Sequence, residues 1–230
     1  MGLTLVVGIL ADLVAADPEA VADYKATFHR LNKVLRARGL PVHHEPEECE
    51  AWSCDMYGYS GLHYLRRLAA HTDLRGTFPE PGTRDAADDP ELQRYSQLFL
   101  AEATPLAPLT RWFRKPARRT FDHLMLHGDA EGFYVPLDFA EVLFPGEPAE
   151  IPGGMVGSSH RLLAECKRLA TALEIPPDLD EQSEEIWKAT ESQGKGETLW
   201  QRYGIESYSC VCLLKACEHS LATGAAIVFT

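Results

Sequence analysis

The sequence predicts an α/β or α+β fold: a small mixed sheet covered by six or more helices, in a single domain spanning 1–230. Three observations point there. TLVVGI at 4–9 and AAIVF at 225–229 are short apolar runs, and each suits a central strand. Between them, apolar residues recur at spacings of three and four, with start signals such as Asp-Pro-Glu and stops at glycine. No internal repeat or low-complexity tract interrupts this order.

The first strand is rich in valine and flanked by glycine, so it is expected to be buried on both faces. A helix should follow from Asp17-Pro18-Glu19. Aspartate can cap, proline is tolerated at the first helical position, and an acid suits the positive end of the dipole. Val21, Tyr24, Phe28, Leu31 and Leu35 form its apolar stripe, and Gly39 stops it. Pro41 to Glu45 reads as a short second strand, giving a strand-helix-strand unit with a parallel, right-handed crossover. A helix is expected over Ser60–Thr72, then a loop rich in turn residues over 76–88. Asp89-Pro90-Glu91 repeats the start signal, with Leu92, Tyr95, Phe99 and Ala103 as the stripe. After Ser158 the chain should be mostly helical. Leu162, Cys166, Leu169 and Leu173 form one stripe, and Cys210, Leu213, Leu214, Cys217 and Leu221 another. Gly194 and Gly196 should interrupt the helix between them, and Gly224 should end the last one.

A chain of 230 residues can bury a proper core without staples. Its formal net charge of −12 disfavours nucleic acid as a partner and suits a basic protein. The apolar N-terminal run lacks preceding basic residues and Asp12 interrupts it, so it makes a poor signal peptide and is too short to span a membrane. With six cysteines in a chain this long, a cytoplasmic protein with reduced thiols is expected. Cys166, Cys210 and Cys217 fall on apolar stripes as small hydrophobes. Cys212 falls off the stripe, beside Lys215 and His219.

Complete catalytic motifs are missing. No G-x-G-x-x-G follows the first strand. GGMVGSSHRLL, 153–163, lacks the lysine of a phosphate-binding loop, and Ser158 or Ser159 is more simply a helix cap. His43, His44, Cys49 and Cys54 lack the tight pairs of a structural zinc site. RWFRKPARR, 111–119, sets Arg111 and Arg114 beside aromatics, a pattern able to hold phosphate or to pair with acids elsewhere on the chain.

The most distinctive stretch is FDHLMLHGDAEGFYVPLDF, 121–139. Read as a helix capped by Thr120 and stopped by Gly128, it puts His123 and His127 on one face. Leu124 stands where a zinc protease would carry its glutamate. Asp129 should accept amide hydrogen bonds in the GDAEG turn, and a cationic His127 would suit the negative helix end. FYVPLDF alternates like a half-buried strand, and Pro136 places it at an edge or beside a bulge.

LMLHGDAEGFYVPLDF, the GSSHRLLAEC helix and the closing GAAIVF together resemble a group of uncharacterised bacterial proteins. These carry a leucine-rich segment, His-Ser-Asp-x-x-Gly and an aromatic strand. Gly128 stands here in place of the serine. The resemblance covers the second half of the chain and implies no activity and no catalytic residues.

The expected function is non-enzymatic, cytosolic binding of a basic protein, immunity proteins being one such class. The residues singled out for binding are His127, Asp129, Glu131, Arg111 and Arg114, with no cofactor and no membrane. The alternative is a small metal-dependent or hydrolytic enzyme built on His123, His127 and Asp129.

Overall fold

A computed structural model describes residues 3–14, 17–82, 86–103, 119–146 and 151–230. Arg111 and Arg114 lie outside the described residues. The valine-rich start of the chain forms β1 (Thr4–Val7), with Leu5 and Val7 fully buried on one face and Thr4 and Val6 partly covered on the other. β1 pairs antiparallel with β2 (Trp52–Asp55) and with β5 (Ile227–Phe229). β5 pairs antiparallel with β3 (Gly132–Val135), which pairs parallel with β4 (Val156–Ser158). The order is β2-β1-β5-β3-β4, a five-stranded mixed sheet.

Nine α-helices surround it among the described residues. α1 (Ile9–Leu13) and α2 (Pro18–Ala37) cover one face, where Phe28, Leu31 and Leu35 join Phe133, Val135, Val156 and Val228. α3 (Gly58–Arg75), α4 (Pro90–Ala103) and α5 (Asp122–Met125) lie on the other side, as do α6 (Ser159–Ala172), α7 (Glu184–Glu191), α8 (Leu199–Arg202) and α9 (Gly204–Thr223). Their core takes in Leu5, Val7, Tyr134, Ile227 and Phe229. Successive strand residues point to opposite faces, so Val228 serves one core while Ile227 and Phe229 serve the other. The mixed sheet with helices on both sides is the fold class that the sequence predicts.

The start signals operate as their chemistry requires. Asp17 accepts from the amides of Glu19 and Ala20, both at 3.1 Å, and Asp89 accepts from Glu91 at 2.9 Å. Ser158 accepts from the Arg161 amide at 3.3 Å to open α6.

Three expectations fail. First, residues 41–45 form no strand, and the neighbour of β1 is antiparallel β2, so there is no parallel crossover. Side chains satisfy this segment instead of a ladder. Asn32 bonds both the amide and the carbonyl of His43 (2.7 and 2.8 Å), and Glu45 accepts from the Ala226 amide at 2.7 Å. Second, β3 is an inner strand, buried at all four positions, and it ends at Val135. Pro136 terminates the ladder rather than lying within it. Third, Cys212 is fully buried, because α9 runs between α3, α6, α7 and the sheet and is covered almost all round. A Cβ on Gly204 would stand 2.1 Å from the Ala189 carbonyl oxygen, so glycine is what lets α9 start against the backbone of α7.

Candidate functional site

Two regions compete for the role. The first is the bend at 121–139. Its helix, α5, is a single turn held at both ends by side chains from other helices. At its start, Glu165 of α6 accepts from the amides of His123 (3.0 Å) and Leu124 (2.8 Å). At its end, the buried Arg66 of α3 donates to the carbonyls of Leu124 (2.8 Å) and His127 (2.6 Å), and also pairs with Asp129. Thr120 does not cap the helix. It donates to Asp73 through its amide (2.8 Å) and hydroxyl (2.5 Å).

Both histidines are buried and engaged. The Ser158 amide donates to His123 Nδ1 at 3.0 Å, which leaves Nε2–H to donate to Ala140 O at 3.2 Å. His127 Nδ1–H donates to Gly128 O at 3.0 Å, and its ring stacks on Tyr134 at a centroid distance of 4.2 Å. The chain passes so close that a Cβ on Gly132 would meet the His127 ring at 2.5 Å. Burial pushes the pKa of His123 down to about 4 and that of His127 to about 3. The expected imidazolium at the helix end is therefore replaced by a neutral ring, with the Arg66 guanidinium nearby adding to the effect. Burial pushes Glu165 the other way, up to about 8.

Asp129 lies at the rim with its side chain half exposed. It faces Arg66, with His63 Nε2 at 3.7 Å, and accepts from none of the turn amides. Glu131 is exposed and lines a different hollow, about 400 Å³, with Asp23, Tyr24 and Phe229. No group of three His, Cys, Asp or Glu side chains among the described residues could hold a metal ion. Arg66, Glu165, His123 and His127 brace this region from within. Arg66 is the residue that sequence reasoning missed. It was detectable, because it falls at helical spacing among Leu62, Leu65, Ala69 and Ala70, where a cation must find buried acceptors.

The second region is a matter of charge. Residues 45–55 hold five acids and no base, a net −5, and residues 174–191 hold seven acids and one lysine, a net −6. Together that is −11 of the chain's −12, so the other 201 residues are nearly neutral. The fold brings the two segments together. The first runs into edge strand β2, and the second contains the α6–α7 connection and α7. Tyr208 of α9 bridges them: its hydroxyl donates to Asp55 O at 2.6 Å, and its ring lies 4.6 Å from that of Trp187 in α7.

Within the first segment Glu47, Glu48, Glu50 and Asp55 are exposed. In the second, Glu174, Asp178, Asp180, Glu184, Glu185 and Glu191 are exposed. The two remaining acids are structural. Glu45 is buried against His43 at 2.6 Å, and Glu181 is buried close to Cys54 and Cys212. Only two of the exposed carboxylates have cationic partners among the described residues: Glu47 with Lys25 at 2.8 Å and Glu184 with Lys188 at 2.7 Å. Both pairs are solvent-exposed and hold little energy. The arrangement is two neighbouring segments whose exposed charged side chains are nearly all carboxylates.

No helix among the described residues is long and apolar enough to cross a membrane. No curated protein and no solved structure matches the chain. Residues 1–229 match a family described as "Putative DNA-mimic protein".

Proposed function

The chain belongs to this DNA-mimic family, and from that premise we propose that it occupies the DNA-binding surface of a basic protein. The carboxylates of 45–55 and 174–191 stand in for phosphates. The observation that carries this reading is the concentration of −11 charges in two segments that the fold places side by side. A DNA-binding protein presents lysines and arginines spaced to neutralise a phosphate backbone. A surface of fixed carboxylates attracts the same cations, speeds encounter and needs no base contacts. Duplex DNA would be repelled by this face, which fits a partner that is protein rather than nucleic acid.

Edge strand β2 holds Asp55, and the packed helix α7 holds Glu184, Glu185 and Glu191. Ordering is then completed on folding, and less entropy is lost when the partner docks. Within this reading the cytoplasm is the place of action. An immunity-type role is its narrower form, in which the partner is a DNA-acting protein held inactive.

The test is competition. The protein is immobilised, basic proteins from a native lysate are captured, and increasing duplex DNA is added. Release by DNA is expected, with association falling steeply as salt rises. A Glu48→Lys, Glu50→Lys, Glu185→Lys variant should lose capture by roughly tenfold or more, while Glu131→Lys, outside the face, should retain it. Captured proteins that duplex DNA fails to release, or equal capture by both variants, would overturn the reading.

A further inference from the structure

Beneath the acidic face two thiols meet. Cys54 Sγ of β2 and Cys212 Sγ of α9 are 2.9 Å apart, although 158 residues separate them in sequence. The bonded sulfur spacing is about 2.05 Å, so about 0.9 Å of closure separates this contact from a disulfide. Both are free thiols, as are the other four cysteines. We propose that Cys54 and Cys212 form a disulfide-forming site, closed by a peroxide-class oxidant, that ties edge strand β2 to the central helix α9.

The surroundings assign a role to each sulfur. Cys54 is slightly exposed at 8%, whereas Cys212 is fully buried, so a small oxidant reaches Cys54 first. The Tyr208 hydroxyl lies 3.9 Å from Cys54 Sγ. The hydrogen bond from Cys212 holds the Cys54 thiol below its usual range, and burial holds Cys212 well above it. Cys54 is thus the more readily ionised of the two, with Cys212 beside it as the hydrogen-bond partner.

The chemistry balances with one peroxide. The Cys54 thiolate attacks a peroxide oxygen, the O–O bond breaks, and hydroxide leaves and takes up a proton as water. Cys54 is then a sulfenic acid. Cys212 Sγ attacks that sulfur, the S–O bond breaks, and a second water carries off the hydroxyl together with the Cys212 proton. The two sulfurs lose two electrons and the peroxide gains them. A thiol-class reductant reverses the bond by exchange.

The other cysteines are placed differently. Cys210 Sγ donates to the Cys166 carbonyl at 3.4 Å, so that pair is engaged through backbone. Cys49 is partly exposed and lies against Gly8.

The reduced full-length protein is treated with hydrogen peroxide, quenched with an alkylating reagent and weighed intact. Loss of two hydrogens is expected, with a Cys54–Cys212 cross-linked peptide after digestion and a raised Tm that falls back on addition of dithiothreitol. Cys212→Ser should leave Cys54 as a sulfenic acid trappable by dimedone, while Cys54→Ser should leave Cys212 unoxidised. Both variants keep the small buried side-chain volume, and their Tm without oxidant checks that they fold. Bonding between another pair, or Cys54 passing to sulfinic acid without a cross-link, would overturn the assignment. So would an unchanged mass at peroxide levels that oxidise free cysteine. Mass is read without any partner, so the result is independent of the acidic-face reading.

Discussion

The bend at 121–139 and the face at 45–55 and 174–191 both hold polar residues in quantity, and they use them in opposite ways. In the bend, the two histidines are turned inward and the helix ends are tied by buried side chains, while Asp129 and Glu131 stay at the surface. Arg66 and Glu165 satisfy the two ends of a one-turn helix, and His123 and His127 are neutral and packed. In the two acidic segments ten carboxylates are exposed, and four have partners: Glu47 and Glu184 pair with lysines, Asp55 accepts from the Thr4 hydroxyl and Asp180 from the Gln182 amide. Chemically varied residues close together in sequence serve largely as bracing here, whereas the monotonous acidic segments leave their charge at the surface. A buried polar network is costly to leave half-satisfied, so its members are fixed by folding. An exposed carboxylate array adds little to stability, so it is free to be shaped by a partner.

The contrast can be broken by pH, where the largest effect is expected. The folded pKa values of His123 and His127, about 4 and about 3, lie below the usual 6.5. As pH falls from 6.5, the unfolded chain takes up protons first and stability drops. The folded pKa of Glu165, about 8, lies above its usual 4.5. As pH rises from 4.5 towards 8, the unfolded chain loses its proton first, and stability drops again. Between 4.5 and 6.5 two imidazoles oppose one carboxyl and win, so stability should peak near pH 6.5. One pKa unit is about 1.4 kcal/mol, so the acid limb should amount to several kcal/mol. Urea midpoints measured across pH 3–9 check this. A flat profile would mean that the bend is not the titrating element.

Next in size is Arg66→Met, which leaves the buried carbonyls of Leu124 and His127 without their donor. A cost of roughly 2–5 kcal/mol is expected from urea unfolding. Glu165→Gln keeps one oxygen acceptor and loses the other, for about 1–2 kcal/mol, and it should also flatten the alkaline limb of the pH profile. Asp129→Ala should cost less than about 1 kcal/mol, because its carboxylate is half in water and screened. At the bottom of the scale, Glu48→Lys with Glu50→Lys should leave the urea midpoint at the wild-type value while weakening DNA-competed capture, though less than the triple variant does. If these last two substitutions unfold the protein, the division between bracing and binding regions fails.

The local signals were well written in the sequence. Asp17, Asp89 and Ser158 cap because their chemistry is local, and the apolar 225–229 run is an inner strand because it is apolar on both faces. What was hidden is whatever depends on distant partners. WSCD has no alternation to mark β2, and its ladder is defined by β1, some 50 residues away. Glu45 reads as the end of a short strand, yet no strand forms there and its carboxylate accepts from the distant Ala226 amide. Cys212 reads as an exposed thiol because a helix covered on all sides has no amphipathic period to reveal it. The acidic face was visible only as a total of −12; its concentration into two segments was available in the sequence, but their adjacency needed Tyr208.

The strand order β2-β1-β5-β3-β4 has a consequence for synthesis. β5 follows the other four strands of the sheet in sequence and is the middle one in space. While the ribosome is still adding residues 204–226, β1 and β3 each present a bare hydrogen-bonding edge facing a gap. Such edges are the surfaces on which nascent chains pair wrongly with one another. The sheet therefore closes as a single late event that needs residues 227–229, rather than growing strand by strand from its beginning. Removing 227–229 would leave β1 and β3 without the strand that pairs with both.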